Sequence, residues 1–566
     1  MTRASSAPTS SNERRRAALL GLIALAVGAC ARAGWFERFA GVNAAQGWPQ
    51  REAAGELHCM VDVSDDLGKI DARLFGSNLE WFNDGDGLAG GSPLAYRHLV
   101  DLAREAGITV WRYPGGTLAD YYDWHDGIGP QAQRPQRQHP TDSGISRNNF
   151  GSPEFFGWLR DTGGQGLVTV NAGTGSADEA AAWVSYANRP GDAQRRADGL
   201  MQPIGIKLWE IGNELYLPGN PGEKKIMVTP EVYADRFVHF ADAMRAVDPS
   251  ITLAAIGVAP SHAGPDSPFP DWTDKLLQRA ADRIDLVAVH NAYFPLLYGV
   301  QSPKIRDVYS ALWASPEAVD ASLNRLDDLI QRYEHGRHIG IAITEWGALF
   351  SLPFADREWV DHVKTIGSGV YVGRMLQVFM SHPRVELANY FKFTDRSFMG
   401  WINYAGQPKV PHRVFELYAR YHGDRRVQAQ LDSPTFDTPA FAVMWPQQRV
   451  ATVTAVATRN SDDGTLYLNF VNRSFADVQT IRLDLRHYSA AAGGELLSIS
   501  AAEPTAHEGR DIPPEWPYRK EYEPFSTAPE DSIRIQHKSW SIGEPIRLPP
   551  FSVATLVLKP ADPSFH

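Results

Sequence analysis

Short apolar runs alternate with longer segments of helical period from about residue 74 to residue 424. The runs are rich in β-branched and aromatic residues, which favour strands, whereas the segments between them favour amphipathic helices. Eight runs occur: LFGSNLEW (74–81), ITVWRYPGG (108–116), GLVTVNAG (166–173), IKLWEIGNE (206–214), TLAAIGV (252–258), LVAVHNAY (286–293), IAITEWG (341–347) and LANYFKF (387–393). Eight repeats are the number that closes a parallel barrel, so the pattern predicts an α/β fold of the (β/α)8 TIM-barrel type.

The helical period is clearest in three segments between or after these runs. In PEVYADRFVHFADAMRAV (230–247), apolar residues recur at every third or fourth position. In SPEAVDASLNRLDDLIQRY (315–333), Ser315 is predicted to cap the helix and Pro316 to open its first turn. PHRVFELYARYHG (411–423) closes the series and ends in a glycine.

The pattern changes after the barrel region. ATVTAVATRN, GTLYLNFVNRS, VQTIRLDLRHY and FSVATLVLKP alternate apolar and polar residues and are separated by turn residues. They predict a C-terminal all-β sandwich over residues 425–566, behind a barrel over residues 74–424. Residues 57–73 also resemble strands and are expected to join the sandwich, whereas residues 502–530 lack a period and are predicted to form an extended loop.

The first 33 residues resemble an export signal. Three arginines precede an apolar run, Ala17 to Ala29, that is too short to span a bilayer comfortably. The sequence VGAC is similar to a bacterial lipobox, in which Cys30 would be lipidated and attach the chain to a membrane; cleavage of an ordinary signal peptide is the alternative. We therefore expect residues 34–56 to form a linker and the protein to be exported, as a periplasmic, outer-membrane or secreted protein.

Composition and charge narrow the functional classes. A formal net charge of −11 over 566 residues gives no basic footprint, so nucleic acid is not an expected partner. Sixteen tryptophans and twenty tyrosines suit surfaces that stack on sugars, although a large core would use them equally well. The two cysteines, Cys30 and Cys59, form no disulfide framework.

Polar residues cluster where the predicted strands end. Active residues of a parallel barrel lie at the C-terminal ends of its strands. The residues at those ends are Glu80, Arg112, Asn171, Asn213, Glu214, His290, Tyr293, Glu345 and Trp346. A helix cap or a satisfied polar group in the core explains any one of them alone, but six strands that end in this way indicate a site.

Two carboxylates stand at the ends of the fourth and seventh strands, on opposite sides of the barrel mouth. Glycoside hydrolysis uses one carboxylic acid to protonate the leaving oxygen and one carboxylate to attack the anomeric carbon. Glu214 and Glu345 are therefore the candidate catalytic residues. A separation of about 5–5.5 Å would give retention, and a wider one inversion. Glu210 lies on the same strand face as Glu214 and is expected to be a structural partner.

The motifs around these glutamates resemble known families. WEIGNE and TEWG resemble the clan of retaining barrel glycosidases. RYPGGTLADYYDWHDGIGP, NNFGSPEFFGWLRDTGGQGLVTVNAGTGSADEAAAWVSYAN and the closing LPPFSVATLVL resemble glycoside hydrolase family 51, the α-L-arabinofuranosidases. The resemblance runs from about residue 60 to the end. It implies a retaining, double-displacement enzyme that acts on arabinose-containing polysaccharides or oligosaccharides of plants or microbes.

Carried over by position, the resemblance implies Glu214 as acid/base and Glu345 as nucleophile. The further implied roles are sugar-hydroxyl contacts for Glu80 and Asn213, orientation of the nucleophile for Arg112, a place beside the nucleophile for Tyr293 and a place in the pocket wall for Trp346. His290, Thr117 and Asn171 complete the candidate binding residues.

Three departures from the family pattern concern the sugar contacts. Thr117 stands where the family usually has asparagine after PGG. HNAYF separates His290 from Tyr293 more than the usual tight His-aromatic-Tyr run does. The eighth strand carries Lys392 and lacks the expected glutamine, and a basic residue there would favour an acidic sugar such as a uronate.

Other functional classes receive less support. VNAGTGSADEAAAW imitates a dinucleotide fingerprint but has Asp178 in place of the third glycine. No spacing of histidine, cysteine and aspartate suggests a metal site, and no cofactor is expected. Two alternatives stay open: another retaining glycosidase of endoglucanase, β-xylosidase or β-glucuronidase type, and a carbohydrate-binding lipoprotein without turnover. Linkage, exo or endo action and oligomeric state also stay open.

Overall fold

The computed structural model describes residues 48–89, 93–138, 145–218, 225–259, 268–290, 293–297, 300–351, 357–394, 399–402, 406–508, 527–528 and 533–561. The predicted export signal, including Cys30, and most of the predicted linker lie outside these residues. Within the described ranges, no helix combines the length and the apolar character that crossing a membrane requires.

Eight parallel strands close into a barrel. They are β1 (Gly76–Asn78), β2 (Val110–Tyr113), β3 (Gln165–Val170), β4 (Leu208–Ile211), β5 (Thr252–Ile256), β6 (Leu286–Val289), β7 (Gly340–Leu349) and β8 (Val385–Tyr390). Each strand pairs with the next, and β8 pairs with β1, which closes the ring. Each of the eight predicted runs overlaps one of these strands, so the predicted (β/α)8 barrel is confirmed.

Apolar side chains fill the barrel interior away from the C-terminal ends of the strands. One buried cluster consists of Val110, Leu167, Leu208, Ala254, Leu286, Ala288, Ala342 and Leu387. Because side chains two positions apart share a strand face, Arg112 follows Val110 inward and Glu210 follows Leu208 inward. The apolar layer therefore supports polar residues that lie nearer the barrel mouth.

Helices surround the barrel. The α-helices of the described ranges are Phe82–Asp86, Pro93–Glu105, Ser152–Thr162, Ala177–Asn188, Ala193–Ala197, Pro230–Val247, Trp272–Ala280, Ile305–Gln331, Ile366–Ser381 and Val410–Arg420. Short 3₁₀ segments are Ala72–Leu74, Thr117–Tyr121, Trp124–Gly127, Gln131–Gln133 and Arg357–Lys364. The helix predicted over residues 230–247 is confirmed, and Thr229 caps it by accepting the N–H of Val232.

The helix predicted to begin at Ser315 begins earlier, and spans Ile305–Gln331. Ser315 is not a cap, because its Oγ lies inside the helix and donates to Leu312 O at 2.7 Å. The prediction is wrong because buried Val308 and Leu312 extend the apolar stripe upstream. Packing of that stripe maintains the helix although Pro316 cannot donate its backbone hydrogen bond.

A second, β-rich layer follows the barrel. Nine strands form one continuous sheet in the order Gln536–Ser541, Ala490–Ile499, Ser552–Pro560, Leu466–Asn472, Val453–Arg459, Arg425–Leu431, Arg51–Lys69, Asp477–Arg486 and Ile546–Leu548. Leu57 and Ile481, from neighbouring strands, share one core with Leu556, whose strand lies four places from that of Leu57, so the sheet folds over itself as a β-sandwich. The strand that precedes the barrel in the chain, Arg51–Lys69, lies inside this sheet.

Shorter strands complete the described structure. Arg137–Gln138 pairs with Ile145–Ser146, Thr435–Thr438 with Gln447–Ala451, His507–Glu508 with Thr527–Ala528, and Tyr293–Pro295 with β7. Most of the predicted loop over residues 502–530 lies outside the described ranges. Between barrel and sandwich, Gln377 Nε2 donates to Asn469 O at 2.9 Å and Gln377 Oε1 accepts from Thr454 at 2.5 Å.

Candidate functional site

A buried arginine links the ends of four barrel strands. From β2, Arg112 Nη1 donates to Glu345 Oε1 on β7 at 2.7 Å and to Asn78 Oδ1 on β1 at 3.1 Å. Its Nε donates to Glu210 Oε2 on β4 at 2.6 Å, and its Nη2 donates to Asn213 Oδ1, just after β4, at 2.8 Å. The planar guanidinium can satisfy several acceptors at fixed angles, so it holds these side chains in one arrangement.

An irregularity in β7 directs Glu345 into the barrel. Between Ile343 and Trp346, three steps along β7 correspond to two steps along β8. An extra residue of this kind is a β-bulge, which changes the direction of the side chains that follow it. As a result, Thr344 and Glu345 both hydrogen-bond to residues of the barrel interior although they are adjacent in sequence.

The same bulge turns Trp346 away from the barrel mouth. Its indole is fully buried. The rings of Phe379 and Tyr390 lie nearly perpendicular to it, with distances between ring centroids of 5.1 Å and 5.0 Å. A place in the pocket wall, which the family resemblance implied, does not fit a ring enclosed between the barrel and its helices. Trp346 is a core residue in this structure.

Glu214 and Glu345 approach each other across one imidazole. His290 Nδ1 lies 2.9 Å from Glu214 Oε1 and 3.7 Å from Glu345 Oε2. An oxygen of each carboxylate and a ring nitrogen of His290 all lie within 4.8 Å of one another. The ends of β4, β6 and β7 therefore bring together the two predicted catalytic carboxylates and one predicted binding residue.

The two carboxylates beside His290 favour the protonated form of its imidazole. Burial opposes protonation of His290, but the carboxylates of Glu345 and Glu214 outweigh it, so the pKa of His290 lies above its ordinary value.

The three residues also offer ligand atoms of the kind that bind metals. However, His290 Nε2 is hydrogen-bonded to Thr344 Oγ1 at 2.9 Å, and the Arg112 guanidinium already contacts Glu345. A metal ion held by these atoms would displace the hydrogen bond between His290 Nδ1 and Glu214 Oε1 and would lie close to the positive charge of Arg112.

An aspartate that sequence reasoning missed holds the loop after β4. Asp120 Oδ2 accepts the backbone N–H of Asn213 at 3.1 Å, and burial raises the pKa of Asp120 to about 8. The loop is tightly bent, because Glu214 has φ +38° and Gly212 has φ +84°. Such a conformation is unfavourable for a glutamate and persists only where surrounding contacts maintain it. Asp120 supplies one of these contacts from the 3₁₀ segment Thr117–Tyr121.

Glu80 lies in a cluster of charges at the end of β1. Lys392 Nζ donates to Glu80 Oε2 and, at 2.7 Å, to Asp86 Oδ1. Asp86 Oδ2 accepts the backbone N–H of Glu80 at 2.9 Å. Two carboxylates thus share the ammonium group. This arrangement argues against the acidic sugar that Lys392 suggested, because a uronate would bring another negative charge beside them. Asp86 is the second residue that sequence reasoning missed.

Asn171 braces its own loop. Its Oδ1 accepts the N–H groups of Gly173 at 3.1 Å and Thr174 at 2.9 Å, and its Nδ2 donates to Thr174 Oγ1 at 2.9 Å. These bonds form a local turn at the end of β3, which is a common use of an asparagine side chain.

Thr117 and Tyr293 are the two remaining predicted binding residues. Thr117 is half-buried and opens the 3₁₀ segment that carries Asp120. Tyr293 begins the short strand beside β7, paired with Gly347, and its side chain lies outside what the structure describes. A cavity of about 420 Å³ lined by Asp71, Arg73, Thr109 and Gln165 lies at the opposite end of the barrel, so it is separate from this site.

Known proteins resemble this chain both in fold and in sequence. The α-L-arabinofuranosidase of Thermotoga maritima, solved with arabinose, superposes with a TM-score of 0.74 at 22% identity over 89% of this chain and 100% of that chain. Residues 103–289 match the α-L-arabinofuranosidase 1 domain. The exo-α-(1→6)-L-arabinofuranosidase of Bifidobacterium longum is 30% identical over 483 residues, 78% of this chain and 88% of that protein. The chain belongs to glycoside hydrolase family 51.

Family 51 membership settles the enzyme class and removes the alternatives left open by the sequence. The chain is a glycosidase that hydrolyses O-glycosyl bonds, of the retaining α-L-arabinofuranosidase type. The endoglucanase, β-xylosidase and β-glucuronidase types and the binding protein without turnover are therefore set aside.

The family 51 relatives contradict the predicted export. Five of them are named intracellular, among them the exo-α-(1→5)-L-arabinofuranosidase of Halalkalibacterium halodurans, which is 27% identical over 68% of this chain and 79% of that protein. The prediction of a periplasmic, outer-membrane or secreted protein is therefore wrong. The prediction rested on three arginines and a short apolar run alone, which are a compositional pattern independent of the enzyme fold.

Proposed function

We propose that this family 51 enzyme removes terminal α-L-arabinofuranosyl groups from arabinose-containing glycans by double displacement, with Glu345 as nucleophile and Glu214 as acid/base. The observation that carries the proposal is the approach of an oxygen of each carboxylate to within 4.8 Å, on either side of His290. Retaining glycosidases keep these groups about 5–5.5 Å apart, whereas inverting enzymes need about 6.5–9.5 Å to admit a water molecule.

In the first step, Glu345 attacks the anomeric carbon as the bond to the leaving oxygen breaks. Arg112 donates to Glu345 Oε1 at 2.7 Å and favours the ionised form of the nucleophile. Oε2, the oxygen on the side of His290, makes the new bond to the sugar. Glu214 gives its proton to the leaving oxygen, so the aglycone departs as a neutral alcohol.

In the second step, a water molecule takes the place of the leaving group. Glu214, now ionised, accepts a proton from this water while the water oxygen attacks the anomeric carbon and releases Glu345. His290 Nδ1 shares a hydrogen bond with Glu214 Oε1 at 2.9 Å, so the imidazole fixes the direction of this carboxyl group. We assign His290 the role of orienting Glu214 and modulating its proton, rather than contacting the sugar.

Asn213 and Glu80 are the sugar contacts that the geometry supports best. Asn213 Oδ1 is engaged by Arg112, whereas its buried Nδ2 has no hydrogen-bond partner among the described residues. A buried amide N–H is costly to leave unpaired, and a sugar hydroxyl beside the reacting carbon would satisfy it. Thr117 and Tyr293 remain proposed contacts from the resemblance alone. Asn171 is proposed to shape the loop after β3.

The names of the relatives support exo action inside the cell. Relatives of this chain are named both exo-α-(1→6) and intracellular exo-α-(1→5) enzymes. Because both linkages occur among them, we propose the terminal arabinofuranosyl group as the recognised unit, without a fixed linkage. We infer an intracellular enzyme that acts on oligosaccharides.

Product stereochemistry tests this proposal. The enzyme is incubated with nitrophenyl α-L-arabinofuranoside and with the corresponding β-glucoside, β-xyloside and β-glucuronide, and the first-formed sugar is followed by NMR. We expect turnover of the arabinofuranoside, with the α anomer of arabinose appearing before mutarotation. A first-formed β anomer, or a clear preference for another sugar, would contradict it.

A further inference from the structure

Lys392 connects three separate elements at the barrel mouth. It lies two residues beyond β8, and its ammonium group donates to Glu80, after β1, and to Asp86, at the end of the helix Phe82–Asp86. Lys392, Glu80 and Asp86 are 4%, 5% and 2% exposed. With so little solvent, two adjacent carboxylates would repel each other strongly if no cation lay between them.

Glu80 is confined on its other side as well. Gly116 has φ +67°, and a Cβ at this position would lie 2.3 Å from Glu80 Oε1. Any larger residue there would displace the carboxylate. Glu80 Oε2 is held by Lys392, the Glu80 N–H is held by Asp86, and Oε1 faces the bare backbone of Gly116. The carboxylate is therefore fixed in both position and direction.

We propose that Lys392 is a positioning residue that fixes Glu80 as an ionised acceptor for the sugar hydroxyls. The inference rests on the proposed function, in which Glu80 contacts the arabinofuranosyl group. Lys392 itself does not touch the reacting atoms. It acts by supplying the positive charge that allows Glu80 and Asp86 to lie side by side in a buried site.

The charges that face Glu80 give this proposal a pH signature. Burial raises the pKa of Glu80, Lys392 opposes this rise, and Asp86 and Glu345 add to it. Arg112, bonded to Glu345, is the other nearby cation. Removing Lys392 would raise this pKa further, and the ionised acceptor would then form only at higher pH. Activity that depends on ionised Glu80 should shift to higher pH in Lys392→Met and shift less in Lys392→Arg.

A double-mutant cycle tests the connection between the two residues. Glu80→Gln, Lys392→Met and the double variant are assayed with nitrophenyl α-L-arabinofuranoside for kcat and KM across pH 5–9. We expect Lys392→Met to lower kcat/KM about tenfold or more, mainly through KM, and to have little further effect when Glu80 is already Gln. Lys392→Arg should restore most of the loss. Lys207→Met is the control, because Lys207 binds Asp248 just before β4, at the opposite end of the barrel.

Equal losses from Lys392→Met in the wild-type and Glu80→Gln backgrounds would overturn the inference, since Lys392 would then act without Glu80. An unchanged pH profile in Lys392→Met would overturn it as well. If Lys392→Met does not fold, Lys392→Gln and Lys392→Arg complete the same cycle. Failure of the proposed function is distinct, because the wild-type enzyme would then not hydrolyse the arabinofuranoside or Glu345→Ala would retain full activity.

Discussion

Glu214 Oε1 and Glu345 Oε2 lie 2.9 Å and 3.7 Å from the same nitrogen, Nδ1 of His290, although 131 residues separate the two glutamates in the chain. The contact exists because β4, β6 and β7 are parallel strands of one barrel and end at the same face. A pair of carboxylates at this separation is matched to a substrate that presents one carbon between them.

The two glutamates should respond differently to added azide. In Glu214→Ala, azide should attack the glycosyl-enzyme and give the α-arabinofuranosyl azide, because Glu345 still performs the first inversion. In Glu345→Ala, azide takes the place of the nucleophile and should give the β-azide. NMR of the two products distinguishes these outcomes. If both variants gave the same anomer, the two roles would not be those assigned here.

Arg112→Lys should lower kcat/KM by about 10²-fold or more with little change in fold. Lysine carries the charge but cannot reach Glu345, Glu210 and Asn213 with the fixed angles of a guanidinium, so Glu345 would lose its orientation. Steady-state kinetics measures the loss, and circular dichroism checks the fold.

Arg482→Lys is the matched control for that variant. Arg482 pairs with Glu56 on the surface of the sandwich, so the same substitution there should leave kcat/KM unchanged. Equal kinetics for the two variants would contradict a positioning role for Arg112.

Asp120→Asn should flatten the pH dependence of stability. An exposed aspartate titrates near pH 4, whereas the pKa of Asp120 in the folded protein is about 8, so the folded state retains a proton that the unfolded state releases. Wild-type stability from this group is present at low pH and is lost as pH rises towards 8. Between pH 5 and pH 8, urea unfolding should show a loss larger by about 1 kcal/mol or more in the wild type than in Asp120→Asn. Identical slopes would argue against a buried, protonated Asp120.

Asp120→Ala is the companion variant. Asparagine can still accept the N–H of Asn213, whereas alanine leaves that buried N–H unpaired at a cost of about 1–3 kcal/mol. Activity should therefore be retained largely in Asp120→Asn and fall in Asp120→Ala. The kinetics of both variants report whether Asp120 positions the loop that carries Glu214.

Trp346→Ala should reduce stability rather than alter substrate binding. The ring is fully buried, and removing such a side chain costs about 3–5 kcal/mol. Trp445, which is 47% exposed, is the control, since Trp445→Ala should change stability by about 0.5 kcal/mol or less. Urea unfolding measures both. A large rise in KM for folded Trp346→Ala would contradict this prediction and indicate that Trp346 lines the substrate pocket.

The barrel was predictable because period and strand ends are local properties of the sequence. Every predicted run overlaps a barrel strand, and parallel strands bring their C-terminal residues to one face whatever the intervening helices. This is why Arg112, Asn213, Glu214 and Glu345 meet as the sequence indicated. The start of the long helix Ile305–Gln331 was missed because Ser315 and Pro316 form a strong local signal that tertiary packing overrides.

The rest of the site depends on features that no local pattern reveals. One extra residue in β7 decides that Glu345 faces the barrel and Trp346 faces the helices. Asp120 acts from a 3₁₀ segment on Asn213, 93 residues away, and Asp86 acts from a short helix on Lys392, 306 residues away. Lys392 was conspicuous in the sequence, but its meaning depends on the two carboxylates beside it.

Identification of the residue that carries the covalent sugar tests the account most directly. Glu214→Ala is mixed briefly with dinitrophenyl α-L-arabinofuranoside, whose leaving group needs no acid, so that the glycosyl-enzyme accumulates; the protein is then digested and its peptides are sequenced by mass spectrometry. We predict one pentosyl group on the peptide that contains Glu345, attached at that carboxylate. A pentosyl group on any other residue, or rapid turnover to the inverted sugar without an adduct, would contradict the assignment.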